Sequence, residues 1–482
     1  MKKIVSLLNA LLLFFVFSHA SFSQTSENAK KIDELINKYV EYGLFNGSVL
    51  VAQNGNIILS KGYGYSDFEN KVQCAPQTKF RIGSITKQFT SMLIMQLVEK
   101  GKIKLDAKLS DYLPYYRKDN GEKITIHHLL THTSGIPNYT NIPNFMDNEI
   151  GKPYTPKELI LKFGSLDLEF EPGTSWNYSN TGYFILGAII EEVTGKRYED
   201  ALRENIFNPL EMDNSGYEHN DIKMTNQATG YDIGPEGVTV SKFIDMTIPF
   251  AAGSMYSTVE DLYKWDRALY TDKLISKELK EKMFTPFLKN YAYGWGVMKI
   301  NANGIEKKGY SHSGGINGFN ANIVRIVDDN IVIIALSNYY NGESGKVSND
   351  IGKILYGIPY NFPKKSVTSM LMSLGAAKGY TAAVAEIKEV LKNEKDTYTI
   401  KEGEINNLGY TLMQEKKLDD AVEVLKLNVE MFPASSNVYD SLGEAYMTKG
   451  DKENALINYK KSVELNPDSQ SGKDAIKKLE GK

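Results

Sequence analysis

The chain has 482 residues, with 42% hydrophobic and 24% charged residues and a formal net charge of −3. That length exceeds one ordinary core and suits two or three domains. The near-neutral balance excludes nucleic acid or an anionic membrane as an electrostatically recruited partner. The single cysteine, Cys74, excludes an intrachain disulfide and reads as a small buried residue.

The N-terminus carries Lys2 and Lys3, an apolar run from Ile4 to Phe17, and then Ser18-His19-Ala20. A basic start, a short apolar core and a small-x-small site predict a signal peptide over 1–23, cleaved after Ala20 or Ser23. The run is too short, and too interrupted by Ser6 and Asn9, for a membrane span, so no transmembrane segment is expected after signal removal. The expected location is periplasmic or secreted.

Ile32, Leu35, Ile36, Tyr39 and Val40 form a helical stripe. Two apolar runs around Asn54-Gly55 then predict a β-hairpin. Next comes FRIGSITKQFT, residues 80–90. Gly83 supplies a turn, and Phe89, Met92, Leu93, Met95 and Leu97 mark a helix ending near Lys100-Gly101. Ser84 stands at its start and Lys87 three residues on, along the same face. A serine becomes a nucleophile beside a base, and a desolvated lysine is such a base. Alone, S-x-x-K is also what an N-capping serine and a surface lysine look like.

ITIHHLLTHTSG, residues 124–135, reads as a short helix stopped at Ser134-Gly135. His128 and His132 at i, i+4 have chelating spacing, but H-E-x-x-H is lacking, so histidines packed beneath a loop are expected. Pro172-Gly173 marks a turn, and Tyr178-Ser179-Asn180 sits on the loop before an apolar helix. A tyrosine can share a proton, and an asparagine amide can hold a substrate carbonyl. From Tyr293 strand-like runs return, through YGWGVMKI, EKKGYSHSGGINGF, ANIVRIV and IVIIALS. His312-Ser313-Gly314-Gly315 closes one of them, where glycines would let a substrate backbone lie close.

A Pro-containing break follows over 356–365. Beyond it Leu374-Gly375, Leu408-Gly409 and Leu442-Gly443 recur every 34 residues, as do Ala421/Ala455 and Pro433/Pro467. That period is the tetratricopeptide (TPR) repeat. Ala475 to Leu479 reads as a capping helix. The predicted organisation is a signal peptide at 1–23, a first domain at 27–357, a linker at 358–366 and helical repeats at 367–482.

Taken together, Ser84-x-x-Lys87, Tyr178-Ser179-Asn180 and His312-Ser313-Gly314, in that order, resemble the penicillin-recognising serine hydrolases. The similarity is to their class C β-lactamase, D-alanyl-D-alanine carboxypeptidase and esterase group. It spans about Ile32 to Tyr356. The resemblance implies an α+β fold: a five-stranded antiparallel sheet with flanking helices and a helical subdomain, followed here by an all-α TPR solenoid. It implies Ser84 as nucleophile of an acyl-enzyme. Lys87 and Tyr178 would share the general-base task, each with a depressed pKa. Asn180, His312, Gly314 and Gly315 would bind substrate, and the N–H groups of Ser84 and Gly315 are the candidate oxyanion hole. Lysine stands at position 312 in many β-lactamases; histidine there points instead to carboxypeptidases, D-amino-acid peptidases and esterases. His312 is then expected to hold a substrate carboxylate in a pH-dependent way.

The expected function is an exported serine hydrolase acting on an amide, peptide or ester: a β-lactam, a D-Ala or D-amino-acid peptide, or an ester. No metal or other cofactor is called for, the repeats offer a docking surface for a protein partner, and nucleic acid is not a partner. Two other readings stand beside it. One is a non-catalytic peptidoglycan- or ligand-binding protein with a TPR interaction module. The other is a metal-dependent hydrolase at His127, His128 and His132.

Overall fold

The computed structural model describes residues 26–234 and 237–481. The signal-peptide segment, 1–23, lies outside them. The chain divides into two compact units. The first comprises the residues up to Asp232 with Val240–Phe362, and the second Ile233–Thr239 with Pro363–Lys482.

The first unit begins with helix α1, residues 26–41. Strands β1 (Gly47–Gln53) and β2 (Asn56–Tyr63) form the Asn-Gly hairpin. Helix α2 runs from Thr86 to Glu99, α3 from Ile126 to Leu130 and α4 from Asn180 to Thr194. A short α5 (Phe250–Gly253) precedes α6 (Val259–Ala268). Strands β3 (Gly296–Ala302), β4 (Ile305–Ile316), β5 (Phe319–Ile326) and β6 (Ile331–Ser337) follow, then α7 (Ser344–Leu355).

These six strands form one antiparallel sheet in the order β3-β4-β5-β6-β1-β2. The resemblance implied five. Each of the six apolar runs in the sequence finds a partner, and β3 and β2 are the two edges.

Period-two alternation explains why the central strands are apolar throughout. In β6, Val332, Ile334 and Leu336 join one core while Ile331, Ile333 and Ala335 join another. β1 divides the same way, with Leu50 and Ala52 on the first face and Val49 and Val51 on the second. A strand covered on both faces has no polar side to show. The second face is covered by Ile32, Leu35, Ile36 and Tyr39 of α1 and by Val347, Ile351 and Ile354 of α7.

The first face meets the larger core, in which α2 is central. Every residue from Thr86 to Leu97 is buried, polar ones included. A helix buried all round must have its polar side chains bonded by other elements. Gln88 Oε1 accepts from Trp265 Nε1 at 3.0 Å, and Thr90 Oγ1 donates to the Ala251 carbonyl at 2.7 Å. Lys87 meets the same demand, with consequences for chemistry.

The second unit pairs α8 (Val367–Lys378) with α9 (Tyr380–Glu394), α10 (Glu402–Gln414) with α11 (Leu418–Met431), and α12 (Ser436–Lys449) with α13 (Lys452–Leu465). The recurrent Leu-Gly has a steric cause. A Cβ on Gly375, Gly409 or Gly443 would meet the Tyr380 ring, Leu425 or the Tyr459 ring at 2.5, 2.6 or 3.1 Å. The glycines therefore mark where the paired helices approach closely. The last helix, α14 (Gln470–Glu480), packs Ala475, Ile476 and Leu479 on the final core.

Candidate active site

Ser84 sits on a 3₁₀ turn, Gly83–Ile85, that leads directly into α2. Two contacts fix this turn. Gly83 takes φ +49°, in the left-handed region. The end of β4 presses against it so closely that a Cβ on Gly314 would lie 1.9 Å from the Ile82 carbonyl oxygen and 3.2 Å from Ser84 N. Ser84 and Gly315 thus come to line one cleft. Their N–H groups are the pair the sequence nominated for an oxyanion.

Lys87, in the first turn of α2, is buried. Its Nζ lies 3.0 Å from Ser84 Oγ, 2.8 Å from Asn180 Oδ1 and 2.8 Å from the Ala252 carbonyl oxygen. Burial drives its pKa well below the usual lysine value. The Tyr178 ring, 4.9 Å from Nζ, favours the ammonium form. That attraction is worth about 0.5–2 kcal/mol, against several kcal/mol for burying a charge, so desolvation prevails. A neutral amine has two N–H bonds and one lone pair. The Asn180 and Ala252 oxygens take the two N–H bonds. The lone pair is then left for the hydroxyl of Ser84, which is the geometry of a general base.

Tyr178 differs from the expectation. Its phenol is hydrogen-bonded to Ser84, yet burial raises its pKa above the ordinary tyrosine value. It remains protonated at neutral pH. Of the two groups the resemblance assigns to the base task, only Lys87 has a lowered pKa.

Asn180 is the first residue of α4 and follows the N-cap Ser179. Its Oδ1 is occupied by Lys87, and its Nδ2 lies 3.5 Å from Thr140 Oγ1. The residue lines the cleft, but its carbonyl orients the lysine. Only its amide N–H bonds are left for substrate.

His312 also departs from the reading as a carboxylate anchor. Its Nδ1 donates to the Ser313 carbonyl at 2.6 Å, and its Nε2 accepts from Tyr291 Oη at 2.9 Å. Both ring nitrogens are occupied, in the neutral tautomer. Burial is the main cause that lowers its pKa to about 4. The imidazole is thus an uncharged support behind the site.

The i, i+4 pair His128/His132 does not share a helix face, because α3 ends at Leu130 and His132 takes φ +60°. His128 Nδ1 accepts from the Thr125 N–H at 3.2 Å within a capping box, and His127 Nδ1 contacts Tyr293 Oη at 2.8 Å. His132 packs beneath the tyrosine loop. Its Nδ1 accepts from the Ser179 N–H at 3.1 Å, and its ring centroid lies 4.3 Å from that of Tyr178. It thereby fixes the segment that carries Tyr178 and Asn180.

Sequence reasoning passed over Tyr291, the Ala252 carbonyl and Asn138, whose Oδ1 accepts from Asn180 N at 3.1 Å. The aromatic run YAYGWG and the AAGSMYS segment were the available signals.

The β-lactamase family model matches residues 32–355. The chain belongs to the β-lactamase family. A tetratricopeptide-repeat model matches residues 436–469. PbpX of Bacillus subtilis (strain 168), which carries a penicillin-binding-protein name, is 34% identical over 337 residues, covering 69% of this chain and 81% of its own. The octameric penicillin-binding protein homologue from Pyrococcus abyssi is 31% identical, with a TM-score of 0.61 over 68% of this chain and 77% of that one. D-amino acid amidase from Ochrobactrum anthropi SV3 is 25% identical, with a TM-score of 0.60 over 69% of this chain and 99% of that one. This family member thus joins a β-lactamase-like domain to a C-terminal run of helices that matches the TPR repeat.

Proposed function

We propose that the chain is an exported serine hydrolase that cleaves amides or esters through a Ser84 acyl-enzyme. The observation that carries this is the buried Lys87 amine, 3.0 Å from Ser84 Oγ, with its two N–H bonds directed to Asn180 and Ala252. As Ser84 Oγ bonds to the substrate carbonyl carbon, its proton passes to Lys87 Nζ. The Ser84 and Gly315 N–H groups stabilise the oxyanion. Tyr178 donates its proton to the leaving amine or alcohol and regains one from the Lys87 side. Water then attacks the acyl carbon and gives up a proton to Lys87 Nζ; the acyl–Oγ bond breaks, the acid leaves, and Lys87 returns that proton to Ser84 Oγ. Similarity to an amidase supports amides among the substrates.

Intact-protein and peptide mass spectrometry after reaction with a slow acylating inhibitor tests the reading. The adduct should fall on Ser84, and Ser84→Ala should lower turnover by about 10³-fold or more. An adduct elsewhere, or a fully active Ser84→Ala protein, refutes it. Export rests on the N-terminal basic, apolar and small-residue pattern. N-terminal sequencing of the protein isolated from its cells should begin after residue 20 or 23, and a chain retaining Met1 would refute export. We read the repeats as a docking module. Truncation at Pro363 should leave hydrolysis of a small ester intact, and loss of that activity would refute the separation.

A further inference from the structure

This inference rests on the hydrolase reading of Ser84 and concerns which substrates the cleft admits. Its walls are apolar. Ile150, Ile244, Ile248, Pro249 and Ile316 line it, and Met146, 45% exposed, stands at its mouth. Its polar lining consists of hydroxyl, amide and backbone groups. Among the described residues lining it there is no lysine, arginine, aspartate or glutamate.

None of the cations nearby lines the cleft, and Lys87 and Arg81 have partners of their own. Lys87 is buried, with its two N–H bonds directed to Asn180 Oδ1 and the Ala252 carbonyl, and in the proposed mechanism it serves as the base. Arg81 makes two hydrogen bonds to Glu218, at 2.9 and 2.7 Å. Lys242 presents its carbonyl to Asn317 Nδ2 at 3.0 Å, while its side chain is exposed. His312 has both nitrogens occupied and is neutral. A carboxylate drawn against these isoleucines would lose water and gain no ion pair, which is costly. An alkyl or phenyl group would gain by burial.

We propose that the Ser84 cleft is a site for uncharged esters or amides that bear an apolar group, and that it discriminates against substrates carrying a carboxylate near the scissile bond. The cleft is thereby set apart from one that anchors an acidic peptide terminus or a β-lactam carboxylate.

The test uses the full chain at pH 7.5 with aryl esters differing in one feature at a time. 3-Carbamoylphenyl butyrate and 3-carboxyphenyl butyrate have nearly the same size, and only the second is charged. 3-Carbamoylphenyl acetate shortens the acyl chain. The expected result is at least a tenfold higher kcat/KM for the carbamoyl butyrate than for the carboxy butyrate. A rise of about a hundredfold or more is expected from acetate to butyrate, which adds two methylenes, each worth about tenfold or more in an apolar pocket. Both butyrates should become inert in Ser84→Ala. If Ser84→Ala abolishes turnover but the carboxylate ester is hydrolysed equally well or better, the inference is overturned and the hydrolase reading stands. Equal rates for acetate and butyrate would also overturn it. If the wild-type protein hydrolyses none of the three, the hydrolase reading fails and the inference falls with it.

Discussion

Replacing Lys87 with methionine separates catalysis from stability in a way that depends on pH. Methionine keeps the length of the side chain and removes the amine. Turnover should fall by about 10²–10⁴-fold, the range for loss of a general base. Stability behaves differently. The pKa of Lys87 is lowered in the folded protein, so the unfolded chain binds one more proton wherever pH lies between that lowered value and about 10.4. In that window the wild-type fold gains stability as pH rises, by about 1.4 kcal/mol per pH unit for one proton. The group is fully buried, so solvent screening does not reduce this slope. Lys87→Met lacks the titration. Against it stands the loss of two hydrogen bonds, to Asn180 and Ala252, at about 1 kcal/mol each. From pH 7 to pH 9 the wild type should therefore gain stability relative to the variant. The assay is thermal unfolding of both proteins in matched buffers at the two pH values, following the transition that the substitution shifts. At pH 9 the variant should compare less favourably with the wild type by several degrees. A Tm difference that does not change with pH would show that Lys87 stays charged in the fold, and would refute its role as a neutral base.

Gly314→Ala should abolish hydrolysis and lower Tm, because its Cβ would lie 1.9 Å from the Ile82 carbonyl and displace the Ser84 turn; a variant with wild-type kcat/KM would refute the close approach. His132→Ala should lower kcat more than it raises KM, since it frees the Tyr178 loop and leaves the Ser179 N–H unpaired, at about 1–3 kcal/mol of stability; an unchanged kcat would show that His132 merely fills space. His312 is held at about 4, so above pH 5 it has no proton left to lose and stays neutral. The ratio of KM for an acidic and a neutral substrate should therefore stay constant from about pH 5 to 8, the range where an ordinary histidine titrates; a ratio that rises with pH would restore the carboxylate anchor.

What the sequence determined by itself was local or periodic. The Asn54-Gly55 turn, the apolar runs that became strands and the 34-residue recurrence each follow from neighbours along the chain. The order of Ser84, Lys87, Tyr178 and His312 was legible for the same reason, because motifs are spacings. The sixth strand was legible as well, since its apolar run stood in the sequence while the count of five came from the family resemblance. The proton positions were not legible. Whether a lysine, a tyrosine or a histidine is neutral depends on how completely distant segments exclude water and on which acceptors they supply. Lys87 owes its lowered pKa to burial and its orientation to Asn180 and Ala252, which lie 93 and 165 residues away along the chain. The same burial that lowers the pKa of Lys87 raises that of Tyr178, because desolvation opposes whichever form carries charge. His132 and His312 share the rule. For His132 the sequence predicts packing beneath a loop, which the Ser179 N–H contact bears out; for His312 the motif suggests an anchor, and the phenol of Tyr291 makes it a neutral support.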